Sequence, residues 1–248
     1  MRRASILISV ATTAILITAA ASSTNAATPE PSPTPSASQS QGQPTSFTIT
    51  KHSKKVKGFT TFTYQTGTIN PISGTSSTAM AKMNELLSFD VLDTMRSVKN
   101  SRISKCTMNR KSCGYFIQTI TAPTCKAGSV CITQPASMLR PGANTGDAWV
   151  NTAVFDSTTG ARQQIDAFIS PSQEAAFLKG ANAGITAALI KGGIKATDPM
   201  WRPSLEMPEV YAWIPTPEGM HLYFSKYNVA PGSFGVVDFT VPWTTINA

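Results

Sequence analysis

Apolar and polar residues alternate along several stretches of the chain, and a period of two is typical of β-strands with one buried face. The alternation is clearest in the segment Phe59-Thr60-Thr61-Phe62-Thr63-Tyr64. It predicts two strands, at residues 47–56 and 59–69, on either side of Lys57-Gly58. Three more strands are predicted in the middle of the chain, at residues 114–122, 130–138 and 147–156.

Two other stretches have apolar residues three and four positions apart, which is the spacing of an amphipathic helix. The first spans residues 77–98 and has this apolar stripe: Met80, Met83, Leu87, Val91, Met95 and Val98. The second is predicted to follow Ser170 as N-cap, with Pro171 at its first position and Gln173 completing a capping box. Gly192-Gly193 is predicted to end it. Its buried face consists of Phe177, Ala181, Ile185, Ala188 and Leu189.

The C-terminal part of the chain predicts an antiparallel meander of three strands, at residues 210–214, 220–227 and 234–241. Pro217 fixes φ and Gly219 can adopt the positive φ of a tight reversal, so residues 215–219 are predicted to form the first turn. Ala230-Pro231-Gly232 separates the second strand from the third. Together the elements predict an α+β fold, in which a twisted antiparallel sheet packs against two helices.

The N-terminus predicts export. Two arginines are followed by an apolar run and by small residues up to Ala26, which is the layout of a secretory signal peptide at residues 1–26. An uncleaved membrane anchor is the alternative. Residues 27–46 are rich in Pro, Ser and Thr and almost without apolar side chains, which predicts a disordered linker. Residues 47–248 then form a single domain. We expect a secreted, extracellular protein, free or associated with the cell wall, without a transmembrane segment after cleavage.

Positive charge is concentrated in the first half of the predicted domain. Residues 47–139 contain 12 Lys and Arg against three acidic residues, whereas residues 140–248 contain seven against nine. Lys51, Lys54, Lys55 and Lys57 form one cluster. On an exported protein such a cluster attracts anionic envelope polymers, and a solvated face is the alternative. Nucleic acid is not expected as a partner, because the chain is exported and has no recognisable binding motif.

The chain has four cysteines, and all lie between residues 106 and 131. In an oxidising compartment an even number predicts two disulfides, for which three pairings exist. Local pairing, Cys106–Cys113 and Cys125–Cys131, is the prediction because each bond would close a small loop. Metal binding is disfavoured, since no histidine lies among these cysteines and the spacings are not paired C-x-x-C.

Familiar enzyme chemistry finds little support in the sequence. The chain has two histidines, His52 and His221, and no Gly-x-Ser-x-Gly element. It contains no phosphate loop, dinucleotide fingerprint, zinc signature or calcium loop, so neither a cofactor nor a metal is expected. Carboxylate pairs for glycoside hydrolysis remain an alternative. The acidic residues considered for them are Asp147, Asp156, Asp166, Glu206 and Glu209, of which Asp156 has the rival role of holding a turn.

Aromatic residues are concentrated near the C-terminus, at Trp201, Tyr211, Trp213, Tyr223, Tyr227 and Trp243. Alternate residues of a strand share a face, so Tyr211 and Trp213 form either an exposed pair or a core pair. An exposed pair would suit stacking on sugar rings or anchoring of a protein partner.

Several short motifs carry a resemblance to a known family. At the C-terminus these are Gly-x-x-x-Tyr-Phe, Tyr-x-x-Ala-Pro with a later Gly, and a strand ending at Val-Pro. They fall on Gly219, Tyr223, Phe224, Tyr227, Ala230, Pro231, Gly235, Val241 and Pro242. Upstream they are Phe-Asp-x-x-Thr-Gly at residues 155–160, the Ile-x-Asp-x-Phe-like stretch at residues 165–168, and Pro71, Gly74 and Asn84 around the first helix.

The chain thereby resembles the RsiV/PdaC-type extracytoplasmic domain family. This family includes the ectodomain of lysozyme-sensing anti-sigma factors, an accessory domain of some peptidoglycan deacetylases and secreted mycobacterial immunogenic proteins, and its members share no common activity. Many members have Gly-Gly-Ala-His before the Phe-Asp strand, whereas this chain has Pro141-Gly142-Ala143-Asn144. Asn144 thus replaces the histidine, and proton transfer or metal ligation by an imidazole is not available there.

The resemblance implies a secreted, non-enzymatic binding protein of the cell envelope, with a lysozyme-type muramidase or a wall glycan as its ligand. The alternatives are a cell-wall hydrolase or its accessory module, and a secreted effector that binds a host protein or membrane. The candidate binding residues are Tyr211, Trp213, His221, Tyr223, Tyr227, Asn144, Lys54 and Lys55.

Overall fold

The computed structural model describes residues 46–100, 113–194, 210 and 212–248. These residues all belong to one compact unit, Gln39–Ala248. They form two β-sheets and three α-helices, which confirms the predicted α+β class. Within that class, the structure has two sheets where the sequence predicted one.

The larger sheet has five strands in the order β1-β2-β3-β4-β5. They are β1 Phe47–Ser53, β2 Phe59–Ile69, β3 Gly114–Gln118, β4 Ser129–Leu139 and β5 Asp147–Asp156. All neighbours are antiparallel except β2 and β3, which are parallel. Helix α1, Ser77–Asn100, lies between these two strands in the chain. A parallel pair needs such a crossover, because a short turn can only reverse the chain.

The smaller sheet is the predicted C-terminal meander, with strands β6 Ala212–Pro215, β7 Gly219–Phe224 and β8 Val237–Pro242. A turn joins β6 to β7 where predicted, and the N–H of Thr216 donates to the carbonyl of Gly219 at 2.8 Å. Gly219 does not have the positive φ expected of it; it begins β7, where a Cβ would lie 2.1 Å from the carbonyl oxygen of Val241. The second strand is shorter than predicted. It ends at Phe224 because the chain turns at residues 226–228, where Tyr227 has a φ of 74°.

Each sheet packs against its own helix, and strands β4 and β5 contribute buried residues to both cores. On the five-stranded sheet, the buried α1 residues Met83, Leu87 and Met95 pack in one cluster with Phe62 and Phe116. The second cluster joins the three-stranded sheet to helix α2, Glu174–Lys191. The buried residues of α2 are Phe177, Ala181, Ile185 and Leu189, all of them predicted, whereas the predicted Ala188 is only partly buried.

Helix α2 begins later than predicted. Regular helix starts at Glu174, with Gln173 at the N-cap position, so Ser170 is not the N-cap. The physical reason is a turn at residues 171–173 in which the side-chain carbonyl of Gln173 accepts from the N–H and the hydroxyl of Ser170, at 2.9 and 2.8 Å. Gln173 also donates to Asn247 at 2.7 Å, beside the short helix α3, Trp243–Ile246, which the sequence did not predict.

Close contact between α2 and β8 depends on glycine. A Cβ at Gly184 would lie 2.3 Å from the ring of Phe239, and a Cβ at Gly180 would lie 2.6 Å from a methyl group of Val241. The helix therefore lies directly on the strand.

A disulfide joins Cys125 to Cys131, as predicted from their spacing. Cys113 is also disulfide-bonded. Its predicted partner, Cys106, lies outside the described residues, so that pairing stays a prediction.

Candidate functional site

Trp213 on β6 belongs to the core. Its exposed fraction is 7%, and its ring makes an edge contact with Phe168, with 5.6 Å between the ring centroids. Of the two alternatives from the sequence, the structure shows the core one, so Trp213 presents no surface for a ligand. Tyr211 and Trp201 lie outside the described residues.

His221 and Tyr223 are two residues apart on β7 and share one face of the sheet. They lie directly opposite Thr240 and Asp238 of β8. Nδ1 of His221 is 2.8 Å from the hydroxyl of Thr240, and Nε2 is 3.3 Å from a carboxylate oxygen of Asp238. The ring of Tyr223 meets the imidazole edge-on, with 4.6 Å between centroids. Both ring nitrogens are engaged, so a metal or a substrate would have to displace one of these partners.

This cluster is mostly uncharged at neutral pH. Burial lowers the pKa of His221 from its usual 6.5, and the attraction of Asp238 opposes the shift only in part. Burial and the same carboxylate raise the pKa of Tyr223 to about 12. His221 is therefore neutral and Tyr223 keeps its proton, which leaves Asp238 as the charged member.

Lowering the pH from about 7 to about 5 is expected to destabilise the fold through His221, because the unfolded chain then binds a proton more readily than the folded chain. This contribution to stability is fully present above pH 6.5 and is lost as the pH falls through the lower folded pKa. Asp238→Asn removes the charge that opposes the shift, so the loss should be steeper. Urea unfolding at a series of pH values measures it. A His221→Gln variant with the wild-type pH dependence would contradict the assignment.

The order of hydroxyl, imidazole and carboxylate in this cluster is also found in nucleophilic enzymes. There, however, the carboxylate that orients the imidazole is buried, whereas the side chain of Asp238 is 54% exposed. Direct and diagonal neighbours across antiparallel strands make such contacts routinely. The strand register accounts for the cluster without catalysis.

A second group of residues meets where β7 ends and β5 begins. We call it the Tyr227 corner and define it as Lys226, Tyr227 and residues 144–147. The N–H of Lys226 donates to the carbonyl of Ala148 at 2.9 Å, which fixes the chain after β7 to the start of β5. The ammonium of Lys226 donates to the carbonyl of Gly146 and lies 4.9 Å from the centre of the Tyr227 ring.

Tyr227 is fixed in an unusual conformation. Among the described residues it is the only one other than glycine with a positive φ, which is uncommon for a bulky side chain. Its hydroxyl is hydrogen-bonded to the side chains of Thr145 and Lys226, and these bonds lower its pKa. The ring lies against Gly232, where a Cβ would come within 2.3 Å of it. The residue is nevertheless 55% exposed.

Two predicted site residues that are far apart in the sequence are close in the structure. Asn144 is exposed and directly precedes Thr145, the hydrogen-bond partner of Tyr227. Asn144 is thus adjacent in sequence to a residue that contacts the side chain of Tyr227. Lys54 and Lys55 are exposed as well, but they follow β1, at the opposite edge of the five-stranded sheet from β5. The sheet order therefore separates these lysines from the corner.

Two of the acidic residues considered for catalysis, Asp156 and Asp147, have local partners. Asp156 accepts hydrogen bonds from the N–H groups of Thr159 and Thr158, at 2.7 and 3.0 Å, and from the Thr159 hydroxyl at 2.9 Å. These bonds, chiefly those of Thr159, lower its pKa, so its predicted role in the turn matches the structure. Asp147 lies 4.0 Å from Arg140. Glu206 and Glu209 lie outside the described residues.

Within the part of the chain that the structure describes, no group of three or more His, Cys, Asp or Glu residues could hold a metal ion. In the same residues we find no helix that combines the length and the apolar character needed to cross a membrane.

Sequence reasoning missed Thr145 and Lys226. The signal for Lys226 was weak, because Lys226-Tyr227-Asn228 contains only Asn228 as a turn-forming residue. Thr145 gave no local signal, since its role depends on a contact with a distant segment.

Residues 187–244 match the sequence model of a family described as "Protein of unknown function (DUF3298)". The matched segment includes all three strands of the smaller sheet. No curated protein matches the chain.

Two crystal structures of DUF3298 family proteins resemble the fold. One is from Pseudomonas aeruginosa PAO1, with a TM-score of 0.56 and 15% identity, covering 82% of this chain and 92% of its own. The other is from Bacteroides fragilis NCTC 9343, with a TM-score of 0.53 and 9% identity, covering 84% of this chain and 94% of its own. At these identities the likeness shows the fold alone.

Proposed function

We propose that the protein is a secreted, non-enzymatic binding protein of the bacterial cell envelope and that the Tyr227 corner is its contact surface. The observation that carries the proposal is the exposed ring of Tyr227, which Thr145, Lys226 and Gly232 hold in a strained backbone conformation. Strained residues cluster at functional sites. A ring that is ordered before binding loses little entropy when it binds, and such aromatic residues are common binding hot spots.

The chemistry of the corner suits a wall glycan. The face of an aromatic ring packs on the apolar face of a sugar, and the side chains of Asn144, Thr145 and Lys226 offer hydrogen-bond donors around it. The ammonium of Lys226 can also attract a free carboxylate of the peptide attached to the glycan. The resemblance to RsiV/PdaC-type domains adds a lysozyme-type muramidase as the alternative ligand of the same surface, and the predicted signal peptide is consistent with either ligand.

Tyr227→Gly is expected to weaken binding to purified peptidoglycan roughly tenfold or more, as for the removal of a hot-spot aromatic residue. Glycine adopts a positive φ without strain, so this change removes the ring and preserves the backbone. Co-sedimentation with peptidoglycan sacculi measures binding to the wall glycan, and calorimetry with lysozyme measures binding to the alternative protein ligand. Thermal unfolding of the variant should match that of the wild type.

The matched control is Ile190→Ala, because Ile190 on α2 is exposed to a similar extent, 52%. It should bind like the wild type. If Tyr227→Gly also binds like the wild type, or if the wild type binds neither sacculi nor lysozyme, the Tyr227 corner is not the envelope-binding surface.

A further inference from the structure

The five-stranded sheet has two edge strands, and described residues cover only one of them. Along β5, the backbone groups of Val154 and Asp156 bond to residues 161–163, and the carbonyl of Ala148 accepts from Lys226. These bonds occupy the outer side of β5 and leave little room for another strand there. The other edge strand, β1, differs.

The register of β1 shows which of its backbone groups point outwards. The N–H of Lys54 donates to Phe62 at 2.9 Å, and the carbonyl of Ser46 accepts from Asn70 at 3.1 Å. Even-numbered residues of this strand therefore bond to β2, and in an antiparallel ladder the intervening residues point the other way. The residues with outward N–H and C=O groups are Phe47, Ile49, Lys51 and Ser53. No described residue forms a backbone bond with these groups.

The β1 edge carries a uniform charge. Residues 47–58 contain four lysines and no acidic residue. Lys51 lies on the edge itself and is exposed, as are Lys54 and Lys55 just beyond it. The imidazole of His52 stacks on the ring of Tyr64 at 4.6 Å, which supports this end of the strand. Lysines on an edge strand discourage unselective pairing, but they attract a strand of opposite charge.

We propose that β1 is a docking strand for an extended, acidic segment of a partner protein, which adds to the five-stranded sheet as a sixth strand. Backbone hydrogen bonds to the four outward residues provide the pairing, and attraction between carboxylates and the lysines selects the partner. This interaction lies at the opposite edge of the sheet from the Tyr227 corner and is independent of the function proposed for that corner.

Two other occupants fit the edge less well. The segment just before β1, residues 27–46, contains five prolines, which lack the N–H of a ladder, and a single acidic residue, Glu30. A second copy of the chain would bring the same lysines together, so like charges would oppose the pairing. An acidic partner strand has neither disadvantage.

The test uses the full secreted chain and a synthetic eight-residue peptide in which Glu alternates with Val. A second peptide has the same sequence with N-methylated backbone amides, so it has the same charge but cannot form a ladder. A third replaces Glu with Lys. We expect the first peptide to bind roughly tenfold more tightly than either of the others. The N-methylated peptide loses one or two backbone hydrogen bonds, and the Lys peptide has the reversed charge. It should also slow hydrogen exchange at the outward amides of Ile49 and Lys51.

Proline substitutions distinguish the outward N–H groups of β1 from those bonded to β2. Ile49→Pro removes an outward N–H and leaves the bonds to β2 in place, so it should weaken peptide binding by up to about tenfold while the domain stays folded. Thr50→Pro, the matched control, removes an inward N–H and should instead destabilise β1. Lys51→Glu keeps the backbone and should also weaken the binding of the acidic peptide, which provides a second test if a proline variant misfolds.

Equal binding of the acidic and the N-methylated peptide would show plain charge attraction and overturn the proposal. So would unaltered binding to a folded Ile49→Pro variant, or no binding of the acidic peptide at all. Tyr227→Gly should leave peptide binding unchanged. The proposal for β1 can therefore fail while the one for the Tyr227 corner holds, and the reverse.

Discussion

Gly160→Ala is expected to destabilise the domain by about 3 kcal/mol or more, since a strained φ and an overpacked contact act together. Gly160 has a φ of 65°, which L-residues with a side chain seldom adopt. A Cβ there would lie 2.3 Å from the carbonyl oxygen of Ala79 in α1 and 2.9 Å from two further backbone atoms of that residue. A backbone cannot move aside as a side chain can, so the turn and the helix would have to separate.

Gly74→Ala is the matched control for this effect. Gly74 also has a positive φ, 82°, but nothing lies within 4 Å of its Cβ position. Its substitution should cost about 1 kcal/mol, the strain of the backbone alone. Urea unfolding of both variants gives the difference, which measures the contact with α1. Equal losses in the two variants would show that the close approach of Gly160 to α1 has no energetic consequence.

The same contacts explain the Phe-Asp-x-x-Thr-Gly motif in physical terms. Asp156 holds the turn through its bonds to Thr158 and Thr159, and Gly160 allows the turn to lie directly against α1. The hydroxyl of Thr75, just before α1, donates to the carbonyl of Ser157 at 2.8 Å. The motif therefore joins the five-stranded sheet to its helix, and its acidic residue serves the fold.

Local pattern was sufficient to predict most elements. The bounds of β2 and β5 agree with the predicted strands, because turn-forming residues flank both strands. The parallel pairing of β2 with β3 could not be predicted in the same way. A strand's side-chain pattern shows which of its faces is buried, but it does not contain the identity or direction of the neighbouring strand.

The candidate site was predictable only in part, for a related reason. Tyr227 and Asn144 were found through motifs, but the contact between their segments depends on the bonds that Lys226 makes with Gly146 and Ala148. No periodicity predicts a positive φ at a tyrosine. For Trp213 the alternation could not decide between a core and an exposed position. Both faces of β6 are covered, and all four of its residues are buried.

Trp213→Ala is therefore expected to destabilise the fold by about 3–5 kcal/mol, the usual cost of truncating a buried aromatic residue. The ring fills the core between β6 and α2 and packs on Phe168, while the N–H of Trp213 donates to the Thr152 hydroxyl at 3.1 Å and joins the two sheets. Truncation would leave a cavity at this junction. Because the loss is one of folding, any ligand should be affected equally.

Trp213→Phe, which keeps most of the volume, should cost much less, and comparison with Tyr227→Gly separates core from surface. Thermal unfolding and ligand binding of the three variants measured side by side give the contrast. We expect Trp213→Ala to lower the unfolding temperature strongly, and Tyr227→Gly to leave it unchanged while binding is lost. A stable, folded Trp213→Ala variant with a selective loss of binding would instead place Trp213 in the ligand-binding surface, because only a residue outside the core can lose its ring without a cost to folding.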